Sequence, residues 1–198
     1  RPDEDYASFS NFNLDGVSFA TSGHGLVVGK RTLSGVETAK AYHVATTTAG
    51  PKWAEIPIPN EPSLVTLTDV DFDGANAYAT GIRIVAGAEQ GVVLKATFAG
   101  GLFSAFVAAA QTFEQCSVGE SLTSADVLTE VEIAPGGAIW VGGKCGRLWR
   151  SSDGVSWNAV RSMTDAHVRG MSFTAADTSF VAGHRQNRTG HSIVRIVP

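Results

Sequence analysis

The sequence predicts an all-β chain folded as a β-propeller, with four blades in a small closed ring or as part of a larger ring. Three observations predict it. Apolar and polar residues alternate through most of the chain, which is the period of strands and not of helices. One pattern recurs four times: a short alternating strand, a polar turn, then a small-residue strand ending in glycine. Its anchors Phe19, Phe72, Ile133 and Phe173 stand 53, 61 and 40 residues apart, the spacing of repeats with four short strands each. Glycine, at 22 of 198 residues, supplies the turns such a chain needs.

The elements follow in order. Two strands open each repeat, within residues 16–29, 69–81, 130–142 and 169–183. A third strand follows at 41–46, 91–96, 146–151 and 191–197. A turn and an aromatic (Trp53, Phe103 or Trp157) then open a fourth. Residues 102–111, with their alanine run, are the one stretch that also suits a helix. The fourth repeat ends before its last strand, while residues 6–12 alternate like a strand. Supplied to the last blade, that segment closes the ring and removes open sheet edges. The blades are then about 14–59, 64–110, 128–162 and 167–198 with 6–12, in one domain over 1–198.

Composition narrows the class. Apolar residues are 43% and charged residues 17%, the reverse of a disordered chain. No apolar run reaches the roughly 18–20 residues of a membrane-spanning helix. The net charge of −4 is uneven. Residues 1–139 carry 7 Lys and Arg against 16 Asp and Glu, a net −9, and residues 140–198 carry 8 against 3, a net +5. A uniformly basic nucleic-acid binder is therefore not expected, whereas a dipolar surface that orients a partner is. The chain opens on Arg1, as a processed precursor or a piece of a longer protein does, and no leader is visible. Cys116 and Cys145 are either one disulfide or two free thiols. The bridge suits an extracytoplasmic compartment, secreted, periplasmic or at the cell surface.

Residues 151–157, Ser151-Ser-Asp153-Gly154-Val-Ser156-Trp157, resemble the Asp-box of sialidase-type BNR propellers. Residues 46–53 look like a decayed copy, with Thr48 at the aspartate position, and residues 96–103 keep only Gly100 and the aromatic. The surrounding pattern is similar to photosystem II assembly factors of the Ycf48 type. The resemblance implies a propeller whose boxes are structural and lie away from any catalytic centre. Physically, Ser151 and Asp153 suit bonding to turn N–H groups, Gly154 suits a positive φ, and Trp157 suits covering the hairpin. For sialidases the resemblance further implies three arginines, a tyrosine–glutamate pair and an acid aspartate. Tyr78 lies in a second strand with no glutamate obviously paired to it, so that set is not matched.

Four kinds of site are legible. Asp69, Asp71 and Asp73 alternate before Gly74 like the opening of a calcium loop, but Thr80 stands where the bidentate glutamate belongs. Asp71 and Glu132 occupy equivalent first-strand positions in adjacent blades, where two carboxylates suit a retaining glycosidase. Lys95, Arg150 and Arg195 recur at one place on the third strand. With Arg147, Arg169, Arg185 and Arg188 they form a basic arc suited to an acidic protein or anionic glycan. Trp140 and Trp149 are candidate sugar-stacking platforms or blade core. No zinc-type histidine spacing, nucleophile elbow, P-loop or dinucleotide fingerprint is present.

These observations lead to an expectation of a non-enzymatic extracytoplasmic module that presents one propeller face to a protein partner or larger complex. The alternatives are a lectin-like carbohydrate binder and, behind it, a sialidase-type glycosidase. Calcium is the cofactor to test. Neither nucleic acid nor a transmembrane segment is expected.

Overall fold

A computed structural model describes residues 11–20, 22–59, 61, 63–109, 113, 127–160, 167–175, 178–184 and 191–196. They form four antiparallel sheets, with no α-helix among the described residues. The first sheet runs β1 (Phe12–Phe19), β2 (His24–Leu33), β3 (Val36–Thr47), β4 (Gly50–Glu55). The second runs β5 (Leu64–Phe72), β6 (Asn76–Val85), β7 (Ala88–Ala99), β8 (Leu102–Phe103), with β9 (Val107–Ala108) also pairing to β7. The third runs β10 (Leu128–Ile133), β11 (Ile139–Gly143), β12 (Leu148–Ser151), β13 (Asn158–Val160). The fourth is β14 (His167–Ala175), β15 (Thr178–His184), β16 (His191–Ile196). Apart from β9, each strand pairs with its predecessor within its sheet, as in propeller blades.

Two expectations about elements need comment. The stretch 102–111 holds β8 and β9, so it is not helical where described. Leu102–Phe103 and Val107–Ala108 pair as short edge strands with β7, with Phe106 fully buried between them. Of the closing segment 6–12, only Asn11 and Phe12 are described, and Phe12 opens β1 opposite Arg31.

The repeat is deeper than the sequence pattern suggested. Each first strand bulges at the same place: Asp15, Thr68, Thr129 and Arg169 are extra residues opposite one position of the second strand. A glycine stands across from the residue before each bulge: Gly29, Gly81, Gly143 and Gly183. At Gly81 a Cβ would lie 2.7 Å from the Thr66 carbonyl oxygen, and at Gly29 it would strike the Asn13 carbonyl. The strand-ending glycine is therefore a clearance requirement of the bulge.

The cores lie between sheets. Leu26, Ala41, Val70 and Phe72 share the cluster between the first and second. Tyr78, Val93 and Val131 share the one between the second and third. Trp140 meets Phe173, and Leu148 meets Val168, between the third and fourth. Side chains of each first strand also reach across to the next first strand. Ser18 Oγ donates to Asp71 Oδ1 at 2.9 Å, Asp71 Oδ2 accepts from Ile133 N at 2.7 Å, and Thr129 Oγ1 donates to the Val168 carbonyl at 2.8 Å. β1, β5, β10 and β14 are thus the successive innermost strands.

Candidate functional site: an acidic cluster on the inner strands

The bulge fixes what each inner strand presents. The first residue after it is Gly16, Asp69, Glu130 or Gly170. Two residues on, on the same face, come Ser18, Asp71, Glu132 and Ser172. The two middle sheets therefore carry acids where the outer two carry glycine and serine. Four carboxylates face one space, with small residues on either side.

The aspartates and glutamates differ in their bonding. Asp69 Oδ2 accepts from Val131 N at 2.9 Å. Asp71 accepts from Ile133 N, from Ser18 and from its own neighbour Phe72 N at 2.8 Å. Both thus bond the free edge of β10. Glu130 and Glu132 make no comparable hydrogen bond among the described residues and are half-buried. Burial, with the negative charges of Asp71 and Asp69, pushes Glu132 up to about 7. Burial and Asp69 push Glu130 up to about 7, against the opposing pull of Arg169. Burial lifts Asp69 to about 6 despite its backbone hydrogen bonds. Two glutamic acids raised towards neutrality, both beside aspartate and Glu130 also beside an arginine, are equipped for acid–base chemistry. The buried Trp140, opposite Glu132 on the same face, has an indole N–H with no hydrogen-bond partner.

The other sequence candidates fall as follows. Asp71 and Glu132 are brought together as expected, but Asp71 spends both oxygens on structure. Asp73 does not join Asp69 and Asp71: its Oδ1 accepts from Ala75 N and Asn76 N, both at 2.7 Å, in the exposed turn after β5. Among the described residues no group of three His, Cys, Asp or Glu side chains is placed to hold a metal ion. Asp69 and Asp71, two of the carboxylates on which calcium was expected, accept β10 backbone N–H groups. Trp140 and Trp149 are buried in blade core and offer no exposed platform. Cys116 and the side chain of Cys145 lie outside the described residues, as do Arg185 and Arg188.

Residues 151–157 make a tight turn between β12 and β13. Asp153 Oδ1 accepts from Val155 N and Ser156 N, both at 2.8 Å, and from Ser151 Oγ at 2.9 Å. Those bonds pull Asp153 down to about 2. Ser151 Oγ accepts from Gly154 N at 2.8 Å, and Trp157 is buried beneath. The turn leans on the second sheet. A Cβ on Gly154 would strike the Tyr78 ring, and Lys95 Nζ donates to the Asp153 carbonyl at 3.3 Å.

The basic arc is divided. Lys95 sits over the Tyr78 ring at 5.3 Å, and Arg150 over Trp140 at 5.8 Å, each between sheets. Arg147 closes a turn through its carbonyl to Gly143 N at 3.0 Å. Arg169 is the exposed bulge residue beside Glu130, and Arg195 is exposed on β16.

Sequence reasoning missed Glu130 and the histidine pair. Glu130 was findable, since it repeats Asp69 as Glu132 repeats Asp71. His24 and His43 share a 2.9 Å hydrogen bond among Phe98 and Phe103, and burial and His24 hold His43 below its usual value. Their contact is a cross-strand diagonal that needs the register of β2 on β3.

No family model and no curated protein sequence matches this chain. Solved structures do. One is Ycf48 bound to a D1 peptide, at 16% identity over 96% of this chain and 79% of that one, with a TM-score of 0.31. A GH130-family protein, from a group of mannoside phosphorylases containing glycoside hydrolases that target β-1,2 mannosidic linkages in Candida mannan, matches at 11% identity. It covers 93% of this chain and 65% of that one, with a TM-score of 0.51. A glycosyl hydrolase from Bacteroides ovatus matches at 10% identity over 93% and 65%, with a TM-score of 0.53. The chain spans under two thirds of the length of these two enzymes. At such identities the likeness concerns fold alone, and that fold is propeller-like. It corrects one expectation. The chain was read as non-enzymatic, yet the better-superposing structures are glycoside-acting enzymes, so the architecture gives no ground for excluding catalysis.

Proposed function

We propose that this chain is a glycoside-acting protein built on BNR-type propeller blades, with its reacting centre at the inner-strand acids. The observation that carries this reading is the pair Glu130 and Glu132, each pushed up to about 7 and neither tied down by a hydrogen bond among the described residues. Glu132, beside Asp71 and Asp69, is assigned the acid; with a value of about 7 its protonated form is populated at neutral pH. It donates that proton to the glycosidic oxygen as the bond to the anomeric carbon breaks. Glu130, raised by burial and Asp69 to about 7 and drawn back by Arg169, is assigned the base. It takes the proton from the water that attacks the anomeric carbon. The two better-superposing structures are glycoside-acting proteins of propeller-like fold, which makes the same chemistry the first to test here.

The test is hydrolysis of a panel of aryl glycosides and plain oligosaccharides. Glu132→Gln is expected to lose at least ~100-fold in kcat/KM on whichever substrate turns over. Glu130→Ala loses a similar factor and recovers part of it with added azide. Turnover that survives both substitutions would sink the assignment, as would a panel with no turnover at all.

A further inference from the structure

A second set of titratable side chains lies outside the inner-strand acids: the pair His24 and His43. His24 stands on β2 and His43 on β3, both on the face that the first sheet turns to the second. His24 Nδ1 and His43 Nε2 are 2.9 Å apart, and the ring planes are 24° apart. The second sheet closes over the pair with phenylalanines. Between ring centroids, Phe98 of β7 is 4.9 Å from His24 and 5.9 Å from His43, and Phe103 of β8 is 5.1 Å from His43. Phe72 of β5 packs on both Phe98 and Phe103. His43 is buried as a result, at 6% exposure. The slightest element of this seam is β8. It has two residues, is entered through Gly100 and Gly101 at positive φ, and leaves Leu102 exposed. Its pairing to β7 and the packing of Phe103 are what hold it.

We propose that the His24–His43 pair is a proton-operated latch that keeps β8 closed on the first sheet at neutral pH and lets it peel away in acid. An N–H···N bond takes one hydrogen. Two neutral rings provide it, one donating and the other accepting. A first added proton leaves the bond in place with a charged donor. A second sets two N–H groups and two positive charges against each other at 2.9 Å, and the bond is lost. The phenylalanine rings offer the freed N–H groups no oxygen, so the doubly charged pair turns to water, and Phe103 is the side chain in its way. Burial, and then His24, hold His43 below its usual value of 6.5. The latch is therefore closed above 6.5 and opens as pH falls beneath it. The charged groups on the packed elements do not offset the second charge. Lys52 of β4 shares the face of the pair by register and, as a cation, opposes protonation. The carboxylates flanking Phe72 are engaged elsewhere: Asp71 with Ser18 and Ile133 N, Asp73 with Ala75 N and Asn76 N. β7 and β8 turn Phe98 and Phe103 to the pair. This proposal does not depend on the glycoside reading.

The test is amide exchange by NMR, read together with the histidine ring signals, at about pH 7.5 and about pH 5. The reporter is Ser104, whose N–H donates to the Thr97 carbonyl at 2.8 Å while β8 lies on β7. Protection is taken relative to the intrinsic rate at each pH. Ser104 is expected to lose at least ~10-fold in protection on acidification, while the amides of β11 keep theirs. Two variants separate the latch from a general loosening. In His24→Asn the amide donates to a neutral His43 and accepts from a charged one, so the bond survives in both states. That variant is expected to keep Ser104 protected in acid and to raise the His43 midpoint. His43→Phe removes the buried imidazole and is expected to keep Ser104 protected as well. Equal Ser104 protection at both pH values in wild type overturns the proposal. So does an acid loss that persists undiminished in either variant, and so does a His43 midpoint that His24→Asn leaves unmoved.

Discussion

One methylene separates Asp71 from Glu132, its counterpart in the next blade. The shorter side chain reaches the adjacent strand edge and is consumed by Ile133 N, Ser18 and Phe72 N. The longer one makes no such bond among the described residues and stays half-buried with its proton. This has a measurable consequence for stability. Glu130 and Glu132 rise from 4.5 to about 7, and Asp69 from 3.8 to about 6. All three hold a proton more tightly folded than unfolded. Their contribution is complete below about pH 4 and is lost as pH climbs through 6 to 7. His43, held below 6.5, contributes in the opposite sense: its share is full above 6.5 and falls as pH drops. Calorimetry is expected to show a melting temperature that declines from about pH 5 to about pH 8, less steeply in Glu132→Gln. That variant is expected to melt higher than wild type at pH 8 while losing turnover, the stability–activity exchange of a functional acid. A Glu132→Gln protein no more stable than wild type at pH 8 would remove the buried-acid account.

At the scale of elements, the turn at residues 151–157 shows what a sequence discloses and what it withholds. The residue types alone gave its internal chemistry: Asp153 and Ser151 bond turn N–H groups, and Gly154 takes a φ of +73°. They did not disclose that the turn leans on Tyr78 and Lys95 of the preceding sheet, because that contact joins positions far apart in the chain. The bulges are similar. The strand-ending glycines were visible, but the extra residue they accommodate emerged only from pairing register, and the bulge is what aligns Asp69 with Glu130. A graded prediction belongs here. Ser151→Ala strips a buried acceptor from Gly154 N and is expected to cost about 1–3 kcal/mol. Gly154→Ala is expected to cost more. It adds about 1–2 kcal/mol of left-handed strain to a clash with the Tyr78 ring, and it displaces Lys95. Denaturant unfolding ranks the two. A Gly154→Ala protein as stable as wild type would mean that the turn does not press on the second sheet.

At the scale of the molecule, the cores among the described residues join each sheet to its sequence neighbours. The repeats are alike, and that likeness is why the sequence does not distinguish an end sheet from an interior one. Val17 and Phe19 read the same as Val70 and Phe72, yet one pair is exposed and the other buried. Rows of this kind have nearest-neighbour energetics, so the middle sheets, covered on both faces, gain two interface terms and the end sheets one. Local opening is then expected to be graded from the ends inwards. Amide exchange at low protein concentration is expected to be slowest in β6, β7 and β11 and faster by at least ~10-fold in β16 and β1, a gap of about 1.4 kcal/mol in opening free energy. Uniform protection across all four sheets at low concentration would instead mean that the first sheet already rests on the fourth within one copy, and the row would be a ring.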